Sequence, residues 1–225
     1  MLAGWLGRRH FIAAALAGGY ALTAGAAPAP APRPVLVVGD SLSAEYGLKR
    51  GSGWVALLEN RLAEQKIAVR VVNASISGDT TSGGRSRLGP LLAQHKPGVV
   101  VIELGGNDAL RGLPLDMTRK NLEAMTQAAQ KAGARVLLVG IQVPPNYGTD
   151  YTQRFAGIYP AIGRSHKAAV VPFMLKGVAD GPDTTGLFQG DRIHPTEAAQ
   201  PLILDNIWPE LRKLVAPAAA GNAGS

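Results

Sequence analysis

Two residues far apart in the chain, Ser41 and His194, are the first in this sequence whose types together could do chemistry. A serine hydroxyl is a weak nucleophile until a neighbouring base takes its proton. Histidine titrates near neutrality and can be that base. An acid must then hold the imidazole in one tautomer, and Asp191, three residues before His194, can reach back across one turn. Attack on a carbonyl leaves negative charge on oxygen, which calls for preorganised donors. The backbone N–H groups of Ser41 and Gly78 and the side-chain amide of Asn107 can supply three. Gly78 suits the role because a residue without Cβ lets a substrate oxygen approach the backbone. The expected chemistry is acyl transfer through an acyl-enzyme on Ser41, which requires no metal and no organic cofactor.

Each segment has a plainer reading when taken alone. Gly39-Asp40-Ser41 is a tripeptide that any turn accommodates. Gly105-Gly106-Asn107-Asp108 reads as a strand-ending turn. His194, with Pro195 behind it, reads as a helix start. Asp191 and His194 lack a third ligand at metal-binding spacing. His95 and His166 fall on predicted helices with no acid placed as Asp191 is, so they read as surface or packing residues. Asp40 and Asp108 are expected to shape turns by bonding nearby backbone N–H groups. The combination, four segments each at a predicted strand end or helix start, favours the catalytic reading.

The elements that must position these residues follow from hydrophobic patterning. Short β-branched runs over 35–38, 69–73, 99–104, 135–141 and 169–173 read as strands buried on both faces. Helices are predicted over 53–65, 84–95, 116–132 and 151–167, with a last one over 196–215 that Pro201 and Pro209 are expected to kink. In the first helix Trp54, Leu57, Leu58 and Leu62 form an apolar stripe that Arg61 interrupts. Alternating strands and helices with right-handed crossovers predict a three-layer α/β/α sandwich around a flavodoxin-like five-stranded parallel sheet, in the order 2-1-3-4-5. Such sheets bind ligands beyond the carboxyl ends of their strands, where the candidate residues fall.

Composition narrows the classes. The 225 residues, 46% hydrophobic and 17% charged, are globular in character and long enough for one sizeable core. There is no cysteine, which excludes disulfides, thiolate nucleophiles, zinc-thiolate sites and a lipoprotein anchor. Residues 1–26 read as a signal peptide: Arg8 and Arg9, an apolar stretch from Phe11 to Ala17, then Ala24, Gly25 and Ala26. The arginine pair leaves both twin-arginine and ordinary secretory export open, and implies a periplasmic or secreted enzyme. The apolar stretch is too short to span a bilayer, so no integral membrane segment is expected in the mature form. Residues 27–33 form an Ala/Pro lead-in, 34–215 the catalytic domain and 216–225 a flexible tail. The net charge of +7 is dispersed, without the clustering a nucleic-acid surface needs. A monomer is the default expectation.

The blocks Gly39-Asp40-Ser41-Leu42-Ser43-Ala44, Ser77-Gly78-Asp79-Thr80-Thr81, Gly105-Gly106-Asn107-Asp108 and Pro144-Pro145-Asn146-Tyr147-Gly148, with His194, resemble those of the SGNH (GDSL-type) hydrolases. Within that family the likeness is to the arylesterases and multifunctional thioesterase–lysophospholipases, and it runs from about Pro34 to Leu214. It implies the α/β/α fold already reached, the four residues Ser41, Gly78, Asn107 and His194, and acyl ester, thioester or lysophospholipid substrates. Glu45, where a small residue is expected, departs from the pattern at the pocket rim. Leu110 and Leu113, in a candidate mobile lip over 109–114, and Pro145 and Tyr147 are expected to line the substrate pocket. A carbohydrate O-acetyl esterase and a non-catalytic α/β binding module remain as alternatives. A flavodoxin-like nucleotide binder lacks support, since no Gly-rich phosphate loop follows the first strand.

Overall fold

The computed structural model describes residues 32–216. The expected leader, most of the lead-in and the tail beyond Ala216 lie outside the described residues. Five parallel strands, β1 (Val35–Gly39), β2 (Val71–Asn73), β3 (Val99–Glu103), β4 (Arg135–Val139) and β5 (Ala169–Val171), form one sheet in the order β2-β1-β3-β4-β5. Every residue of β1 and β3 is buried, as the unbroken apolar runs require of central strands covered on both faces. The first predicted run stops one residue short of β1, and the other four overshoot their strands. Leu104 and Ile141 lie past the ends of the ladders yet are buried, which accounts for their apolar character.

Among the described residues six helices surround the sheet: α1 (Trp54–Glu64), α2 (Thr81–His95), α3 (Gly106–Leu110), α4 (Leu115–Lys131), α5 (Thr149–His166) and α6 (Gln200–Val215). The step from β1 to β2 runs opposite to the later steps, so right-handed crossovers put α1 on one face and α2, α4 and α5 on the other. The packing agrees: α1 lies against α6, α2 against α4, and α4 against α5. The result is the expected three-layer sandwich. No helix among the described residues is long and apolar enough to cross a membrane.

Several elements differ from the sequence reading. Arg61 does not interrupt the α1 stripe. It pairs with Asp205 at 2.7 Å and lies 5.8 Å from the Trp208 ring centroid, fastening α1 to α6. Helix α2 starts at Thr81 rather than 84, because the Thr80 hydroxyl accepts the Gly83 N–H at 3.3 Å. The last helix is preceded by a separate 3-10 turn, Glu197–Ala199, and Pro201 sits in its first turn, where a missing N–H breaks no hydrogen bond. Arg33, just before β1, is anchored: its guanidinium donates to Lys96 O, Gly133 O and Ala132 O at 3.0, 3.0 and 3.2 Å.

Candidate active site

Strand β1 delivers the chain into a tight turn at Asp40. Its carboxylate Oδ1 accepts the Leu42 N–H at 3.0 Å, and its carbonyl accepts those of Ser43 and Ala44 at 3.2 and 3.0 Å. This turn presents Ser41, whose Oγ lies 2.9 Å from His194 Nε2. His194 Nδ1 lies 2.6 Å from Asp191 Oδ2. The other Asp191 oxygen accepts the N–H groups of Ile193 and His194 at 2.9 and 3.0 Å. Those backbone donors, His194 first, and then the imidazole lower the Asp191 pKa to about 2. An ionised Asp191 takes the proton on Nδ1, which leaves Nε2 as acceptor for the Ser41 hydroxyl. The turn closes through Arg192, a left-handed residue with φ 58°, a conformation that costs a non-glycine about 1 kcal/mol.

The histidine loop is held as a narrow hairpin. Phe188 pairs with Pro195, Gln189 N–H donates to His194 O at 2.8 Å, and Thr196 N–H donates to Leu187 O at 2.9 Å. The Gln189 side-chain amide then crosses to the segment after Ser41, donating to Tyr46 O at 2.9 Å, and also donates to Pro195 O at 3.1 Å. The Tyr46 ring rests on the imidazole with centroids 4.3 Å apart.

Beyond β2, Gly78 has φ 78°, the left-handed region that glycine tolerates. Among the described residues the Ser41 and Gly78 N–H groups have no protein acceptor. Arg87 fixes this segment, pairing through Nε with Asp79 Oδ2 at 2.8 Å and donating to the carbonyls of Ala74 and Gly39. Arg111 donates to Gly78 O at 2.8 Å. Asn107, in the first turn of α3, is placed differently from the two backbone donors. Its Nδ2 already donates to Asp79 O at 2.9 Å and to Asp40 Oδ2 at 3.1 Å. Donation to a substrate oxygen therefore requires sharing one of these bonds.

Behind the Ser41 turn lies a further carboxyl group. Register sets Glu103 beside Gly39, and its Oε2 accepts the Ser43 hydroxyl at 2.7 Å and the Asp40 N–H at 3.4 Å. Trp54 Nε1–H donates to the same hydroxyl at 3.1 Å. Burial, then the Asp40 charge, pushes the Glu103 pKa well above its ordinary value. Burial likewise raises Asp40 to about 6, against the pull of the Leu42 N–H.

Sequence reasoning passed over Glu103, Arg87, Arg111, Gln189 and Tyr46. Only Glu103 carried a signal, as the one acid in an otherwise apolar strand run. Asp108 reaches further than a local turn: fully buried, it accepts the N–H and the hydroxyl of Thr81 and the Thr118 hydroxyl, tying α3 to α2 and α4. Glu45 is tied into its own loop. Its carboxylate accepts the N–H groups of Gly51 and Gly53 at 3.0 and 2.9 Å, bracing the segment that leads into α1.

The pocket-lining candidates fall on two segments. Leu110 ends α3 and stands exposed, and Leu113 is half-buried. The expected lip is not a free loop. Ala109 is buried, and the N–H groups of Arg111, Gly112 and Leu113 donate to Asn107, Ala109 and Asp108 carbonyls. Tyr147 is exposed beside Tyr151, with ring centroids 6.1 Å apart. The Pro145 side chain lies outside what is described. His95 and His166 sit in the last turns of α2 and α5, away from this cluster.

Residues 37–201 match the model of the GDSL-like lipase/acylhydrolase family. The chain belongs to that family. It is 53% identical over 185 residues to esterase TesA of Pseudomonas aeruginosa, covering 82% of this chain and 90% of that protein. Against the arylesterase of Vibrio mimicus identity is 42% over 187 residues, with 83% and 92% covered. A crystal structure of TesA superposes with a TM-score of 0.78 at 54% identity, covering 80% of this chain and 99% of the other. As a member of the GDSL-like family with esterases at this identity, the protein is a carboxylic ester hydrolase of the serine type, built on the SGNH fold.

Proposed function

We propose that Ser41 is the nucleophile, His194 the general base and acid, Asp191 the residue that orients it, and Ser41 N–H, Gly78 N–H and Asn107 the oxyanion donors. The observation that carries this reading is the unbroken line from Ser41 Oγ through His194 to Asp191, at 2.9 and 2.6 Å. In the first half-reaction Ser41 Oγ bonds to the ester carbon as Nε2 takes its proton. The negative oxygen turns toward the Gly78 and Ser41 amides. Collapse breaks the bond to the leaving group, which departs with the proton from His194. Water repeats the sequence against the acyl-enzyme and frees Ser41.

The substrates proposed are small acyl and aryl esters, with acyl thioesters and lysophospholipids as relatives in the same chemistry. Exposed apolar side chains favour them over a polar sugar: Ile76, Leu110 and Ile193 stand within three residues of Gly78, Asn107 and His194. Export to the periplasm or medium is supported by the pattern of residues 1–26, and we infer a monomer. The experiment is hydrolysis of p-nitrophenyl esters from acetate to palmitate, with Ser41→Ala as control. Turnover that the variant loses is expected, and the best chain length separates a small-ester enzyme from a lysophospholipase-like one. Equal turnover by the folded variant would overturn the assignment of Ser41.

A further inference from the structure

We propose that Tyr46 is a specificity-determining residue that forms the leaving-group wall of the site and favours flat aromatic alcohols; this rests on the catalytic reading above. Tyr46 sits on the nucleophile turn, its N–H directed at Ser41 O at 3.4 Å. Its carbonyl is gripped by Gln189, whose own N–H holds His194 O, so one side chain sets tyrosine and histidine in fixed relation. The rings meet at 4.3 Å with planes tilted by 39°. That distance is just below the usual aromatic range of about 4.5–7 Å, a close contact.

Half of the Tyr46 surface, 50%, remains exposed although its ring is seated on the imidazole. A ring that contacts the imidazole and still keeps half its surface in solvent leaves area for a further flat group. Reaction chemistry says which part of the substrate that is. When the tetrahedral intermediate collapses, the carbon–oxygen bond to the alcohol breaks and the proton on His194 Nε2 passes to that oxygen. The departing oxygen must therefore lie within hydrogen-bond reach of Nε2, and the group attached to it lies against the Tyr46 ring. The carbonyl oxygen is drawn instead to the Gly78 and Asn107 donors, which come from the β2 and β3 ends. The acyl chain has no such obligation to pass Tyr46. Ring-on-ring contact thus enters acylation and is absent from deacylation, where the leaving group has gone.

The test compares Tyr46→Leu and Tyr46→Phe with the native enzyme on acetates that share one acyl group: phenyl, 2-naphthyl, ethyl and trifluoroethyl. The trifluoroethyl ester is activated but not aromatic, and separates stacking from leaving-group reactivity. Tyr46→Leu is expected to lower kcat/KM for the aryl esters about 2–10-fold relative to both alkyl esters. Tyr46→Phe should restore the native ratio, and the pH profile of kcat/KM should not move. An equal loss on all four esters, or a displaced pH profile, would mean that Tyr46 only steadies the imidazole. An unchanged ratio would mean that the ring is a bystander; either result overturns the proposal. Failure of the catalytic reading looks different, since it would appear as turnover that survives Ser41→Ala.

Discussion

At the residue scale the site depends on where protons sit. Asp191 receives two backbone N–H groups and the imidazole, and its pKa of about 2 keeps it ionised throughout the range in which an esterase works. Asp191→Asn keeps the shape but offers the ring an amide that can present a donor to Nδ1. The imidazole then favours the tautomer with its proton on Nε2, which cannot accept from Ser41. A fall in kcat of about 10⁴ is expected with KM nearly unchanged, measured on p-nitrophenyl acetate. A variant altered only in KM would remove Asp191 from the proton path. That Ser41, Asp191 and His194 come together was legible in the sequence, because the acyl-transfer roles proposed for them suit few residue types. Gln189 and Arg87 were not. They act through amide and guanidinium bonds to backbone carbonyls, which neither spacing nor composition announces.

At the element scale, strand register decides which groups become neighbours. Pairing of β1 with β3 sets Gly39 opposite Glu103, and β1 ends where the nucleophile turn begins. A Cβ on Gly39 would stand 2.8 Å from Glu103 Oε2 and equally close to the Ser43 side chain. Gly39→Ala is therefore expected to destabilise the fold by about 1–3 kcal/mol, from crowding rather than backbone strain. Chemical denaturation measures this, and a native midpoint would show that the turn can yield. The strands and long helices were readable because apolar periodicity persists over whole elements. Helix α3 was not: Gly105-Gly106-Asn107-Asp108 has turn chemistry, and its single helical stretch exists because Asp108 is drawn inward to Thr81 and Thr118. That contact joins residues 27 positions apart, and local propensity carries no trace of it.

At the scale of the whole molecule, the sandwich encloses an acid whose charged form its core disfavours. The apolar strands made the three layers legible, since a parallel sheet buried on both faces has few arrangements. They also hid the cost of burying a carboxyl group at the last residue of β3. In the unfolded chain Glu103 titrates near its ordinary 4.5; folded, burial and the Asp40 charge raise it well above that. A raised folded pKa contributes stability that is fully present below pH 4.5 and is lost as pH climbs toward the folded titration. Asp40, raised to about 6, acts in the same direction between about pH 4 and 6. Glu103→Gln keeps an oxygen to accept the Ser43 hydroxyl and removes the ionisable group. The variant is expected to gain little at pH 5 and to melt higher than the native protein at pH 8, by about 2–4 °C for each kcal/mol relieved. Thermal melts of the pair at the two pH values decide it. A melting difference that does not grow with pH would mean that Glu103 is solvated or compensated in the folded state, and that the acid behind the nucleophile turn imposes no penalty on the fold.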